Sequence, residues 1–198
     1  MNFPIEFIQR AHILNKRILN TNREMIDPRK DGSERRLEEY VMNAGDTGFM
    51  MICAAMVFFM TPGLAFFYGG LVRRKNVVNT MLACTALMGL SVVMWVLFGY
   101  SLSFGGNHAG IIGDFRWFGL NGIAMNEAGP YAATIPHLVF VAFQMMFAMI
   151  TPALITGSLV GRVRFKALFI FILLWSVVVY YPMAHMVWGE GGFLAEIG

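Results

Sequence analysis

The chain alternates long apolar runs with short charged ones. From Phe49 to Val72 there is no charged residue, and Arg73, Arg74 and Lys75 then end the run. Three more apolar stretches follow, at about Val77 to Phe104, Ile135 to Val160 and Ala167 to Trp188. A helix needs roughly 20 apolar residues to cross a bilayer, so the pattern predicts four transmembrane helices at about 49–71, 77–104, 135–160 and 167–188.

The charges between the spans set an orientation. Short basic loops follow the first span (Arg73, Arg74, Lys75) and the third (Arg162, Arg164, Lys166). The loop from Gly105 to Thr134 holds one cation, Arg116, with Asp114 and Glu127. Because cytoplasmic loops carry the excess of Lys and Arg, the two basic loops are expected inside and the long loop outside. Both chain ends are then outside. The long loop is rich in Gly and Asn, which predicts turns rather than a domain. Its segment FRWFGL, Phe115 to Leu120, suits the membrane interface.

Residues 1–41 form a polar leader of different character. Eight of the 15 basic and eight of the 12 acidic residues fall in the first 46 positions. Phe7, Ala11, Leu14, Ile18 and Met25 lie near helical spacing, but Pro28 to Ser33 interrupts the pattern. There is no unbroken apolar core of the kind a signal peptide has. Eight cations are unfavourable on the outer side, so initiation at Met42 (MNAGDTGFMM) is expected. An amphipathic surface helix is the alternative.

Composition agrees with a membrane protein. The chain is 57% hydrophobic and 14% charged, with 16 Met and 18 Phe. A 198-residue soluble globule lacks the interior to hide that much apolar surface. The net charge of +3 implies no nucleic-acid partner. Cys53 and Cys84 lie inside apolar runs and read as packing residues. Pro62, Pro152 and Pro182 fall within spans and predict bent helices around a central path, with Thr61, Thr151 and neighbouring helices satisfying the freed carbonyls. Gly157 and Gly161 make a GxxxG pattern that allows close helix packing.

No P-loop, HExxH, GxSxG or metal-spaced cysteine pair occurs, and His12, His108, His137 and His185 are scattered without acidic partners in sequence. Neither an enzyme nor a cofactor or metal site is expected. In the third span Phe143 and Phe147 are four residues apart, so they share a helix face. That face meets lipid or a neighbour on the residues alone. Trp188, followed by a Gly-rich turn, reads by itself as an interfacial belt residue.

Particular segments say more. GDTGFMMICAAMVFFMTPGLAFFYGGLVRRKNV resembles the first transmembrane helix of the ammonium transporter family, whose eukaryotic relatives include the Rhesus glycoproteins. Ala142 to Ala148 (AFQMMFA) resembles the family's AFQxxFA motif, with Met145 and Met146 where small residues are usual. HMVWG, His185 to Gly189, resembles the segment that carries the family's external tryptophan. Glu190 stands where the family usually has Gly. The similarity covers about residues 43 to 198.

The resemblance implies an all-α membrane protein: about four transmembrane helices corresponding to the first part of the family's eleven-helix fold, with 42–198 a partial transporter domain. It implies transmembrane transport of ammonium or ammonia through a channel, serving nitrogen uptake, in the cell membrane. Trp188 and Phe143 would bind the cation, and Phe143 and Phe147 would form the pore gate. Trp is the best ring for holding a cation. Expected partners are ammonium or ammonia, the lipid bilayer, two further copies in a homotrimer of the full-length protein, and a regulatory protein at the cytoplasmic face. The family's next features, an Asp that supports recruitment, a pore His pair, an external Ser and seven further helices, fall after the matched segment. The four spans alone are therefore expected not to conduct. The alternatives are an ammonium-sensing membrane module and a non-functional truncated product.

Overall fold

The computed structural model describes residues 43–125, 127–159 and 162–197. The leader 1–41, with the question of its start site, and Gly161 of the GxxxG pattern lie outside the described residues.

Helix α1 runs Ala44–Leu71. It begins before the apolar run because Asn43 caps it: the side-chain oxygen accepts from the N–H of Gly45 (2.8 Å) and Asp46 (3.4 Å). Asp46 in the first turn adds a favourable charge to the positive helix end. Extended backbone at Val72 stops the helix as the basic loop begins.

The second span is built from α2 (Val77–Met94), a wider π-helical turn (Trp95–Gly99) and α3 (Tyr100–Phe104). The third is α4 (His137–Leu159). The fourth is α5 (Phe165–Trp175), a second π-helical turn (Ser176–Tyr180) and α6 (Tyr181–Trp188). A short α7 (Phe193–Ile197) follows. All four spans are long and apolar enough to cross a membrane.

Both π-helical turns lie where the second and fourth spans meet. Pro182 offers no N–H to the helical ladder, and the helix widens just before it. Gly99 lies under the Tyr181 ring so closely that a Cβ there would sit 2.7 Å from ring carbons. Pro62 and Pro152 stay inside α1 and α4. The expected help from their threonine neighbours takes another form. Thr151 donates to the carbonyl of Phe147 (2.7 Å) rather than to that of Ala148, which Pro152 leaves free. Thr61 is buried with no hydrogen-bond partner among the described residues.

α1 packs on α4, and both pack on α2. Gly157 takes the ring of Tyr68: an added Cβ would come within 2.3 Å of it. Small residues thus do permit close packing here, to an aromatic side chain. Trp95 donates its indole N–H to the carbonyl of Val141 (3.2 Å), and the Cys84 thiol lies 3.6 Å from the Thr156 hydroxyl. Both contacts tie the second span to the third.

The connection after α3 contains more order than turns alone. β1 (Asn107–His108) pairs antiparallel with β2 (Ile112–Gly113), and β3 (Ala128–Gly129) with β4 (Ala132–Pro136). Asp114 organises the first hairpin. Its carboxylate accepts from the N–H groups of Gly106 and Arg116 and pairs with the Arg116 guanidinium at 3.1 Å. Burial pushes its pKa up, but those N–H donors and the adjacent cation outweigh it and hold the carboxyl below its ordinary value. Phe115 and Phe118 of the FRWFGL segment are exposed, as interface residues should be, whereas Trp117 packs on the core.

Candidate functional site

The end of the bundle that carries the hairpins is aromatic. Trp95, Tyr100, Phe104 and Tyr181 are buried in one cluster with Met94, Leu102, Val141 and Ala148. Tyr100 stacks on Phe104 with ring centroids 5.4 Å apart, and Tyr131 stacks on Phe140 at 5.5 Å with planes 7° apart. Trp188 is half-buried and packs against this cluster. A ring held this way keeps one part against protein and one part open.

Phe143 and Phe147 meet edge to face on α4, with centroids 5.1 Å apart and planes at 74°. This is the consequence of their spacing, since residues four apart are neighbours on a helix surface. Both are half-buried. The structure brings these two together as a pair. Trp188 belongs instead to the aromatic cluster, to which neither phenylalanine is joined.

The turn after Trp188 is shaped by glycine. Gly189 leaves the helix in extended backbone, and its N–H still bonds the carbonyl of His185 at 2.8 Å. A Cβ at Gly189 would lie 2.5 Å from Nδ1 of His185 and 2.6 Å from its carbonyl oxygen. Gly191 has φ +73°, in the left-handed region that glycine favours. Asn107 closes the turn: its Nδ2 donates to the carbonyl of Gly191 (2.8 Å) and its Oδ1 accepts from Gly110 (2.7 Å). Glu190 is exposed, and its backbone N–H donates to the Tyr131 hydroxyl (3.2 Å), which donates in turn to the carbonyl of Phe104 (2.8 Å).

Two histidines are part of this end, and reading the sequence for acidic neighbours misses both. His185 is fully buried, with Nδ1 3.1 Å from the carbonyl of Ser103. His137 lies 2.5 Å from the Tyr100 hydroxyl through Nε2, with Trp117 packed edge-on at 5.0 Å. Their partners are a carbonyl and a hydroxyl tens of residues away. The one local signal is spacing: His185 precedes Trp188 by three residues on the same helix. His108 is exposed on β1. Among the described residues no group of three or more His, Cys, Asp or Glu is arranged to hold a metal ion.

Fold and site together define a multi-pass helical membrane protein with aromatic rings gathered at one end of its bundle. The chain belongs to the Ammonium Transporter Family, whose sequence profile matches residues 48–198. It is 46% identical over 157 residues to an ammonium transporter of Bacillus subtilis, covering 79% of this chain and 38% of the relative. It is 48% identical over 159 residues to a putative ammonium transporter of Methanothermobacter thermautotrophicus, covering 80% and 39%. The structure resembles that of Saccharomyces cerevisiae Mep2, with TM-score 0.70 and 29% identity, over 79% of this chain and 36% of Mep2. It also resembles a solved Sensor Amt Protein, with TM-score 0.68 and 25% identity, over 75% and 36%. The chain thus spans less than two fifths of the length of these relatives.

Proposed function

We propose that this chain contributes the outer recruitment site and gate of an ammonium-conducting path. The observation that carries the reading is Trp188, half-buried at the end of α6 and backed by a packed aromatic cluster. Ammonium cannot enter hydrocarbon as a bare charge. A fixed indole face replaces part of its hydration, worth roughly 0.5–2 kcal/mol depending on desolvation. Phe143 shares in shielding the cation and Phe147 closes the path below it. The two rings are in edge-to-face contact, which suits a gate that occludes a narrow path. The cation gives up its proton to water at the outer mouth, and ammonia passes through an apolar channel. No covalent chemistry is needed, in keeping with a transporter rather than an enzyme.

In the same proposal the 198 residues act as part of a larger conducting unit, with three copies assembled and a regulatory protein at the basic face. Ammonium sensing is the second reading, favoured by the likeness to the Sensor Amt Protein. One experiment separates them. Residues 43–197 replace the matching part of the Bacillus subtilis relative, and uptake of labelled methylammonium is measured in cells. Uptake that Phe147→Trp abolishes supports the conducting reading. A chimera that inserts normally and binds the analogue without uptake supports sensing and overturns it.

A further inference from the structure

The opposite, basic end of the bundle carries a site of a different kind. A groove of about 840 Å³ lies between the start of α2, the end of α4 and the start of α5. Its volume falls within the roughly 300–1,000 Å³ of sites that enclose a small organic molecule. The rim is polar and cationic, with Asn76, Asn79, Arg162 and Arg164; the wall below is apolar, with Leu82 and Ala86 among its residues. Helix α5, which begins there, has no side-chain cap, so its first-turn amides add positive potential to that of the guanidiniums.

Among the described residues the charge in and around the groove has one sign, and no carboxylate lines it. The described acids, Asp46, Asp114, Glu127, Glu190 and Glu196, lie in the first turn of α1, between the second and third spans, or after α6. The order of the spans puts every one of those positions at the other end of the bundle. Arg162 and Arg164 are exposed, and among the described residues neither is in an ion pair.

We infer that this groove binds an anionic phospholipid of the adjacent leaflet. The phosphodiester sits at Arg162 and Arg164 with Asn76 and Asn79 as further donors, and one acyl chain runs down along Leu82 and Ala86. A planar guanidinium gives a phosphate two parallel N–H donors. Basic pockets between membrane helices are suited to lipid head groups on electrostatic grounds. A zwitterionic lipid brings an ammonium group for which the described residues of this groove offer no carboxylate, so the anionic class is favoured. The lipid would then bridge α2 and α5.

The test uses the 198-residue chain, delipidated in detergent and titrated with phosphatidylglycerol or phosphatidylcholine while native mass spectrometry counts bound lipids. Phosphatidylglycerol is expected to bind about tenfold more tightly or better, and less tightly as salt is raised. The double variant Arg162→Gln/Arg164→Gln should erase the preference. Ala86→Phe, which fills the wall and leaves the cations in place, should weaken binding severalfold. Arg73→Gln/Arg74→Gln, outside the groove, should leave the preference intact. Equal binding of the two lipids, or no salt dependence, overturns the inference without reliance on any variant. Unchanged binding in Ala86→Phe, or displacement of the lipid by millimolar glycerol phosphate, reduces the site to a surface anion contact and overturns it too.

Discussion

Nδ1 of His185 lies 3.1 Å from the carbonyl oxygen of Ser103, 82 residues earlier in the chain. A carbonyl only accepts, so Nδ1 carries a hydrogen, while Nε2 faces the Oδ1 of Asn107 at 3.4 Å. The contact joins the last turn of α3 to the last turns of α6, one turn below Trp188. His185→Ala should therefore cost about 1–3 kcal/mol, the range for leaving a buried group unpaired. His185→Asn, whose amide nitrogen stands near the position of Nδ1, should recover a good part of it. Thermal melts of the purified variants in detergent provide the comparison. Equal melting of both variants and the parent would mean that the contact contributes nothing.

The glycine after Trp188 tests the same region through backbone rather than hydrogen bonding. Gly189→Ala places a methyl 2.6 Å from a backbone oxygen, which cannot swing aside as a side chain can. A loss of about 1–3 kcal/mol is expected, as for overpacking in general. Gly48→Ala, in α1 with open space around the added methyl, should be neutral or stabilise by up to about 1 kcal/mol. The two melts should move in opposite directions or by clearly different amounts.

The spans were largely readable in the sequence, because apolar length is a direct requirement of the bilayer. The first span's end at Leu71 and the second's at Phe104 agree with the helices found. The first starts earlier than the apolar run, at Ala44, through a cap that is polar. What could not be read is non-local. The π-helical turns lie where Gly99 meets Tyr181, and Asp114 gathers donors across the first hairpin. Phe143 and Phe147 pair as their spacing requires, because that relation is local to one helix. The surroundings of Trp188, and the part of His137 and His185 in that end of the bundle, depend on contacts between spans that no local pattern records.

Orientation follows from the two basic loops. With residues 73–76 and 162–166 inside and 105–134 outside, a single cysteine at Asn121 in a Cys-free background should react with an impermeant maleimide in intact cells. One at Asn76 should not. The opposite labelling would reverse the orientation.

Asp114 gives a pH dependence with a definite sign. Its folded carboxyl is held below the ordinary value by N–H donors and Arg116, against a contribution from burial. A carboxylate of this kind stabilises fully above its unfolded pKa and ceases to do so as pH falls through the lower, folded one. The parent should therefore protect the loop from external protease better than Asp114→Asn at neutral pH. The advantage should shrink only in acid, below the usual carboxylate range. An advantage that is constant down to strongly acidic pH would assign the effect to shape rather than charge.

The role proposed for Trp188 makes the most demanding prediction, because packing and cation binding both involve the same ring. Trp188→Leu keeps much of the apolar bulk against the cluster and removes the indole face. In the chimera described above, a recruitment site acts on capture, so uptake at low analogue concentration should fall about 2- to 30-fold, the equivalent of roughly 0.5–2 kcal/mol. Uptake at saturation should change much less. Trp188→Phe retains a weaker ring quadrupole and should fall between the two. A merely structural tryptophan predicts another order: both variants would lower saturated and unsaturated uptake together, in proportion to the amount of folded protein in the membrane. Surface expression must therefore be measured beside uptake. If low-concentration uptake per inserted molecule is the same for Trp, Phe and Leu at this position, Trp188 is an interfacial anchor and the recruitment site lies elsewhere.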